Sequence, residues 1–187
     1  MKRTEAIREV AKAASAQDAL LVCNIGYPSR ELYALEDRPE NFYLLGSMGL
    51  ASSIALGLSL ARPERRVMAI DGDGAVLMNL GTLATIASFA PPGYLLVILD
   101  NCAYGSTGCQ LTCTARSTDL AAVARGAGVS MVREAESLPE LVPCLEGQGV
   151  VVARVEPGNA QVPIIDLTPE QIRDRFRERC GIPARRG

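Results

Sequence analysis

The stretch Val67-Met-Ala-Ile-Asp-Gly-Asp-Gly74, read with Asp100-Asn101 further along, decides how this chain folds. An apolar run ends in a turn where two glycines flank an aspartate. A helical pattern follows, then a second apolar run from Leu95 to Leu99, then Asp100-Asn101. In a right-handed βαβ crossover both strands end on the same edge of the sheet, and open α/β sheets bind ligands at that edge. Asp73 and Asn101 are therefore expected to converge from two strand ends. Carboxylate and amide oxygens are hard donors that suit Mg²⁺ or Ca²⁺. Gly74 permits close backbone approach, and N–H groups at the following helix start can face an anion. The pattern fits a metal–diphosphate clamp; an ordinary Asp-Gly turn has the same composition.

Outward from this centre, short apolar runs alternate with amphipathic stretches. The pattern predicts helices over 3–15, 30–36 (capped by Ser29), 48–61, 78–88 and 118–126. Ser137-Leu-Pro-Glu140 and Thr168-Pro-Glu-Gln171 read as capping boxes opening helices to about 146 and 179. Strands are expected at Leu20–Cys23, Val67–Ile70, Leu95–Leu99, Val129–Val132 and Val150–Arg154. Continuous apolar strands alternating with helices imply an α/β fold. We expect a doubly wound, mostly parallel sheet with helices on both faces. Residues 1–187 are expected to form a single domain, with 181–187 a frayed tail. The basic run Arg173, Arg175, Arg177 and Arg179 alternates with acids and reads as a solvated helix face.

Composition narrows the chemistry. Hydrophobic residues make up 48% of the chain, enough for a full core, and the net charge of −2 gives no pull toward nucleic acid or anionic lipid. Met1–Lys12 is charged and polar with no apolar stretch behind it, so no signal peptide is expected. No run approaches the ~20 apolar residues of a membrane helix. Six cysteines without a CxxC pair read as free thiols in a reducing cytoplasm. With no histidine, the chain lacks the usual general base near neutral pH. Either a cofactor or another chain must supply the acid–base chemistry.

Four collinear blocks carry a resemblance. They are Asn24–Leu32 (NIGYPSREL), Asn41–Gly57 (NFYLLGSMGLASSIALG), Asp71–Gly81 (DGDGAVLMNLG) and Asp100–Thr112 (DNCAYGSTGCQLT). Together they resemble thiamine diphosphate enzymes, and among these the family of sulfopyruvate decarboxylase β subunits and phosphonopyruvate decarboxylases. The resemblance implies that Asp73, Asn101 and the backbone carbonyl of Ala103 hold Mg²⁺. It implies that Gly72, Gly74 and Ala75 face the diphosphate, with Gly26, Tyr104 and Gly105 beside it. Gly46, Ser47 and Met48 would contact the aminopyrimidine, Met48 wedging between the two rings of thiamine diphosphate. Ser106, Thr107 or Gln110 would reach the acid group of the substrate, or serve only as loop structure. The family places the glutamate that serves the pyrimidine on a separate PYR domain. No catalytic residue is therefore expected in this chain, and a PYR-domain α subunit is the expected partner, with self-association in its absence. The implied reaction is decarboxylation of a small 2-oxoacid, sulfopyruvate to sulfoacetaldehyde and CO₂. Phosphonopyruvate decarboxylation, an acetolactate synthase-like carboligase and a catalytically silent scaffold are the alternatives. One departure stands out: Asp100 occupies the first position of the wider family's Asn-Asn pair.

Overall fold

A computed structural model describes residues 1–181; apart from Gly181, the tail expected to fray lies outside them. The order of elements is α1 (Arg3–Ala16), β1 (Leu20–Cys23), α2 (Tyr27–Glu36), β2 (Asn41–Tyr43), α3 (Ala51–Ala61), β3 (Val67–Gly72), α4 (Asp73–Met78), α5 (Gly81–Phe89), β4 (Tyr94–Asp100), β5 (Ala103–Tyr104), β6 (Gln110–Leu111), α6 (Leu120–Gly126), β7 (Val132–Ala135), α7 (Leu138–Cys144), β8 (Gly149–Arg154) and α8 (Pro169–Arg179). Six strands form one parallel sheet in the order β2-β1-β3-β4-β8-β7. A small antiparallel ladder, β5–β6, stands apart from it.

Every residue of β4 is buried, as a strand covered on both faces must be. Alternate side chains serve two separate cores. Leu21, Met68, Ile70, Leu95, Val97 and Val151 pack under α1 and α7. Leu20, Val67, Ala69, Leu96, Ile98 and Val150 pack under α3, α5 and α6. Each large aliphatic side chain fully buried here contributes roughly 1.5–3 kcal/mol. α8 closes the β2 edge: Phe176 meets Phe42 at a ring-centroid distance of 5.1 Å.

The doubly wound parallel architecture is as expected, and several local expectations need correction. The helix expected from 48 begins at Ala51, because Ser47 and Gly49 take positive φ values of 58° and 88° that no α-helix accepts. Asp73–Met78 is helical rather than a turn, and the helix expected over 78–88 starts later, as α5 at Gly81. Ser29 lies inside α2, and its hydroxyl bonds the Asn24 carbonyl at 2.6 Å instead of capping. Ser137 makes no side-chain cap; Glu140 reaches past it to the Glu136 N–H at 2.7 Å. The strand expected at Val129–Val132 forms at Val132–Ala135. The Thr168 box is present in both directions, through Gln171 N–H at 3.2 Å and Thr168 N–H at 2.8 Å. Of the arginines expected to face solvent on α8, Arg179 is exposed and pairs with Glu40 at 3.1 Å, whereas Arg175 is largely covered and pairs with Asp37 at 2.6 Å.

Candidate functional site

β1 has β2 on one side and β3 on the other, so the chain order reverses between β1 and β3. This switch point leaves a crevice at the strand C-terminal ends. Asn24 follows β1, Asp73 follows β3 and Asn101 follows β4. They line one cavity of about 200 Å³ together with Gly26, Met48, Gly72, Gly74, Ala75, Ala103, Tyr104 and Gly105. Of the residues singled out in the sequence, Gly46 and Ser47 do not line it; they are exposed on the turn leading to Met48.

The Met48 turn is held from below. A Cβ on Gly49 would stand 2.8 Å from the Ala75 carbonyl, so the backbone there approaches α4 as only glycine permits. Asn79, the C-cap of α4, donates its amide to the Gly49 carbonyl at 3.0 Å and to Ser53 Oγ at 3.1 Å. Asp71, fully buried in β3, accepts from the Ser52 N–H at the start of α3 at 3.4 Å and from the Gly72 N–H at 3.1 Å. Burial pushes its carboxyl up to about 7.

Asp73 is 2% exposed. Its Oδ2 accepts from Thr112 Oγ1 at 2.6 Å and Thr114 Oγ1 at 3.0 Å. Burial raises its carboxyl, the Thr112 hydroxyl works against this, and the charge of Asp100 adds to it. Thr114 also bonds Asp100 Oδ1 at 2.8 Å. Arg154 pairs with Asp100 Oδ2 at 2.7 Å. The Asp100 carboxylate thus has a cationic partner on the neighbouring strand. Asn101 Oδ1 accepts from the Ala103 N–H at 3.2 Å, fixing the start of β5.

Two further walls came from parts of the sequence that carry no local signal. Arg3, at the start of α1, lines the cavity. It forms a two-pronged pair with buried Glu31 at 2.8 and 2.6 Å and donates to Asn159 Oδ1 at 3.0 Å. Asn159 in turn donates to the Gly105 carbonyl at 2.8 Å, so this chain of contacts holds the loop after β5. Ser106 and Thr107 reach the cavity; Gln110 does not line it and is bound to Thr107. The Tyr104 ring lies against Gly74, where a Cβ would come within 2.7 Å of its Cδ1.

The donors suit a phosphorylated cofactor. Buried Asn24 lines the cavity, and among the described residues its Oδ1 has no hydrogen-bond partner. A buried amide oxygen normally finds a partner, so this one is an exception among the polar groups packed around the cavity. Backbone at Gly74 and Ala75 starts α4, where N–H groups favour an anion. Among the described residues no group of three or more His, Cys, Asp or Glu could hold a metal, and the pair here combines a carboxylate with an amide. No helix among the described residues is long and apolar enough to cross a membrane. The six cysteines are unpaired.

A switch-point crevice with an aspartate and an asparagine at adjacent strand ends defines a cofactor-binding α/β domain. The family model of the thiamine pyrophosphate enzyme, C-terminal TPP binding domain, matches residues 25–162, and the chain belongs to that family. It is 48% identical to the sulfopyruvate decarboxylase subunit beta of Methanothermobacter thermautotrophicus, over 94% of each chain. It is 40% identical to the sulfopyruvate decarboxylase of Methanosarcina acetivorans, over 97% of this chain but 48% of that longer protein. It is also 39% identical to the phosphonopyruvate decarboxylase of Streptomyces viridochromogenes, over 86% of this chain and 42% of that protein.

Proposed function

We propose that this chain is the diphosphate-binding subunit of a thiamine diphosphate- and Mg²⁺-dependent 2-oxoacid decarboxylase acting on sulfopyruvate. The observation that carries the reading is Asp73 and Asn101 on one cavity at the ends of β3 and β4, in a chain 48% identical over 94% of its length to a sulfopyruvate decarboxylase β subunit. Asp73, Asn101 and the Ala103 carbonyl would hold Mg²⁺, a hard cation that shares its coordination between carboxylate, carbonyl, water and phosphate oxygens. Gly72, Gly74 and Ala75 present backbone to the diphosphate, with Gly26, Tyr104 and Gly105 beside it. Gly46, Ser47 and Met48 support the pyrimidine end, and the Asn79 amide keeps their turn in place. When bound, thiamine diphosphate supplies the electron sink for loss of CO₂. This chain's part is positioning, which is worth a large share of a barrier when reacting groups are held in register.

The acid–base group comes from elsewhere. Relatives named as β subunits match over nearly their whole length, whereas the longer sulfopyruvate decarboxylase is matched over about half. On this reading the unmatched part of that longer protein would correspond to a PYR-domain α subunit that completes the site. The exposed apolar residues Leu45, Leu50, Ile54, Met78, Leu80 and Leu111 sit on segments flanking the cavity and suit that partner. Free thiols fit a reducing cytoplasm.

Phosphonopyruvate is the second reading, favoured by the 39% identity to a decarboxylase of that substrate. Assay of the paired subunits against a panel of 2-oxoacids separates the two. Sulfopyruvate should show the highest kcat/KM; a clear preference for phosphonopyruvate would replace the substrate assignment.

A further inference from the structure

The loop after Asn101 is bound back onto Asp73. The β5–β6 hairpin leaves the end of β4 and returns Thr112 to its base, where the Thr112 N–H donates to the Cys102 carbonyl at 3.1 Å. From there the Thr112 hydroxyl donates to Asp73 Oδ2 at 2.6 Å, and the Thr114 hydroxyl reaches the same oxygen at 3.0 Å. The two hydroxyls lie 2.9 Å apart, and both residues are buried. Both address Oδ2; neither addresses Oδ1. Thr114 has a single proton and stands between Asp73 and Asp100, so its donation is shared, while Thr112 is committed to Asp73 or to its neighbouring hydroxyl.

We infer that Thr112 and Thr114 are positioning residues for the cation site. They hold Asp73 through Oδ2, so that Oδ1 is presented to the divalent ion, and they tie the return strand of the 103–111 hairpin to that carboxylate. Loading of the metal–diphosphate and ordering of the hairpin are then one event. Groups that hydrogen-bond a metal-ligating carboxylate fix its orientation, and their loss typically weakens metal binding about 10–100-fold.

The inference rests on the thiamine diphosphate reading above, and the test separates the two. Calorimetry of the assembled two-subunit enzyme would follow thiamine diphosphate binding as Mg²⁺ is varied, for wild type, Thr112→Val, Thr112→Ser and Thr114→Val. Thr112→Val removes the hydroxyl at nearly constant volume. It should raise the Mg²⁺ concentration for half-maximal binding at least about tenfold. Thr112→Ser should stay near wild type, and Thr114→Val should show the smaller shift of a shared donor. Hydrogen exchange of 103–111 should be slowed by cofactor and Mg²⁺ in wild type but not in Thr112→Val. Should Thr112→Val fail to fold, the comparison of Thr114→Val with wild type carries the same test. Wild-type Mg²⁺ dependence in both valine variants, or a serine variant as weak as valine, would overturn the clamp. Absence of cofactor binding by the wild type at any Mg²⁺ concentration would overturn the cofactor reading, and the clamp with it.

Discussion

Arg154 and Asp100 occupy paired positions on β8 and β4, and their side chains meet at 2.7 Å between Nη1 and Oδ2. Asp100 is buried and Arg154 half exposed. A second buried carboxylate, Asp73, is linked to Asp100 through Thr114. Removing the guanidinium leaves two carboxylates with one counter-charge fewer, and an uncompensated buried charge is costly. Arg154→Gln should therefore destabilise the chain by about 1–3 kcal/mol, toward the lower end because solvent screens the exposed arginine. Asp100→Asn in that background should recover most of the loss. A urea-denaturation double-mutant cycle measures both.

Asp73→Ala should abolish Mg²⁺-dependent thiamine diphosphate binding in calorimetry of the assembled enzyme. Burial already disfavours the ionised carboxylate. Its removal should therefore cost little stability, within about 1 kcal/mol of wild type. Loss of binding with an unchanged unfolding midpoint is the expected signature; unchanged affinity would remove the metal assignment.

Gly74 has the Tyr104 ring against it. Gly74→Ala must push that ring away, and Tyr104 is only half buried, so it can move. The variant should fold, losing less than about 1.5 kcal/mol, and bind the cofactor at least about tenfold more weakly. Tyr104→Ala added to Gly74→Ala should relieve the clash measured by thermal unfolding. Gly49→Ala behaves differently, since φ is +88° and the obstacle is a backbone carbonyl. It should cost about 1–3 kcal/mol of stability.

Asp37 joins α2 to α8 by accepting two bonds from Arg175 at 2.7 and 2.6 Å. Burial works to raise its carboxyl, but Arg175 and the Tyr43 hydroxyl outweigh it, and its pKa is lowered. A lowered folded-state pKa gives stability that is present above the unfolded value and lost as pH falls through the folded one. Arg175→Gln should therefore lower stability by about 1 kcal/mol at pH 7. The difference from wild type should fade below about pH 4, where the unfolded carboxylate protonates. Denaturant midpoints across pH 2–7 check the sign.

Much of the frame is legible from residue order. Strand-length apolar runs ending in Asp-Gly-Asp-Gly and Asp-Asn imply parallel strands whose ends share an edge, and Asp73 and Asn101 do meet on one cavity. Strand β2 escaped notice because three residues, Asn41–Tyr43, show no usable period. Helix α4, Asp73–Met78, is not legible because its opening Asp-Gly reads as a turn, and the helical pattern from 78 runs across Asn79-Leu80, residues that a helix tolerates. The Thr112–Asp73 and Arg3–Asn159–Gly105 contacts were invisible for another reason. They join positions far apart in the chain, and a side-chain hydrogen bond across such a distance leaves no periodic trace. Thr112 stood within a recognised block, but its block alone did not show which carboxylate it holds.

The most direct test compares this chain alone, its PYR-domain partner alone and the two mixed, each with excess thiamine diphosphate and Mg²⁺, for CO₂ and sulfoacetaldehyde released from sulfopyruvate. On the proposed reading, this chain positions the cofactor and the partner subunit supplies the acid–base group. The account predicts no turnover by either chain alone and turnover by the mixture in the ordinary enzyme range, ~1–10³ per second. Turnover at such rates by this chain alone would contradict it.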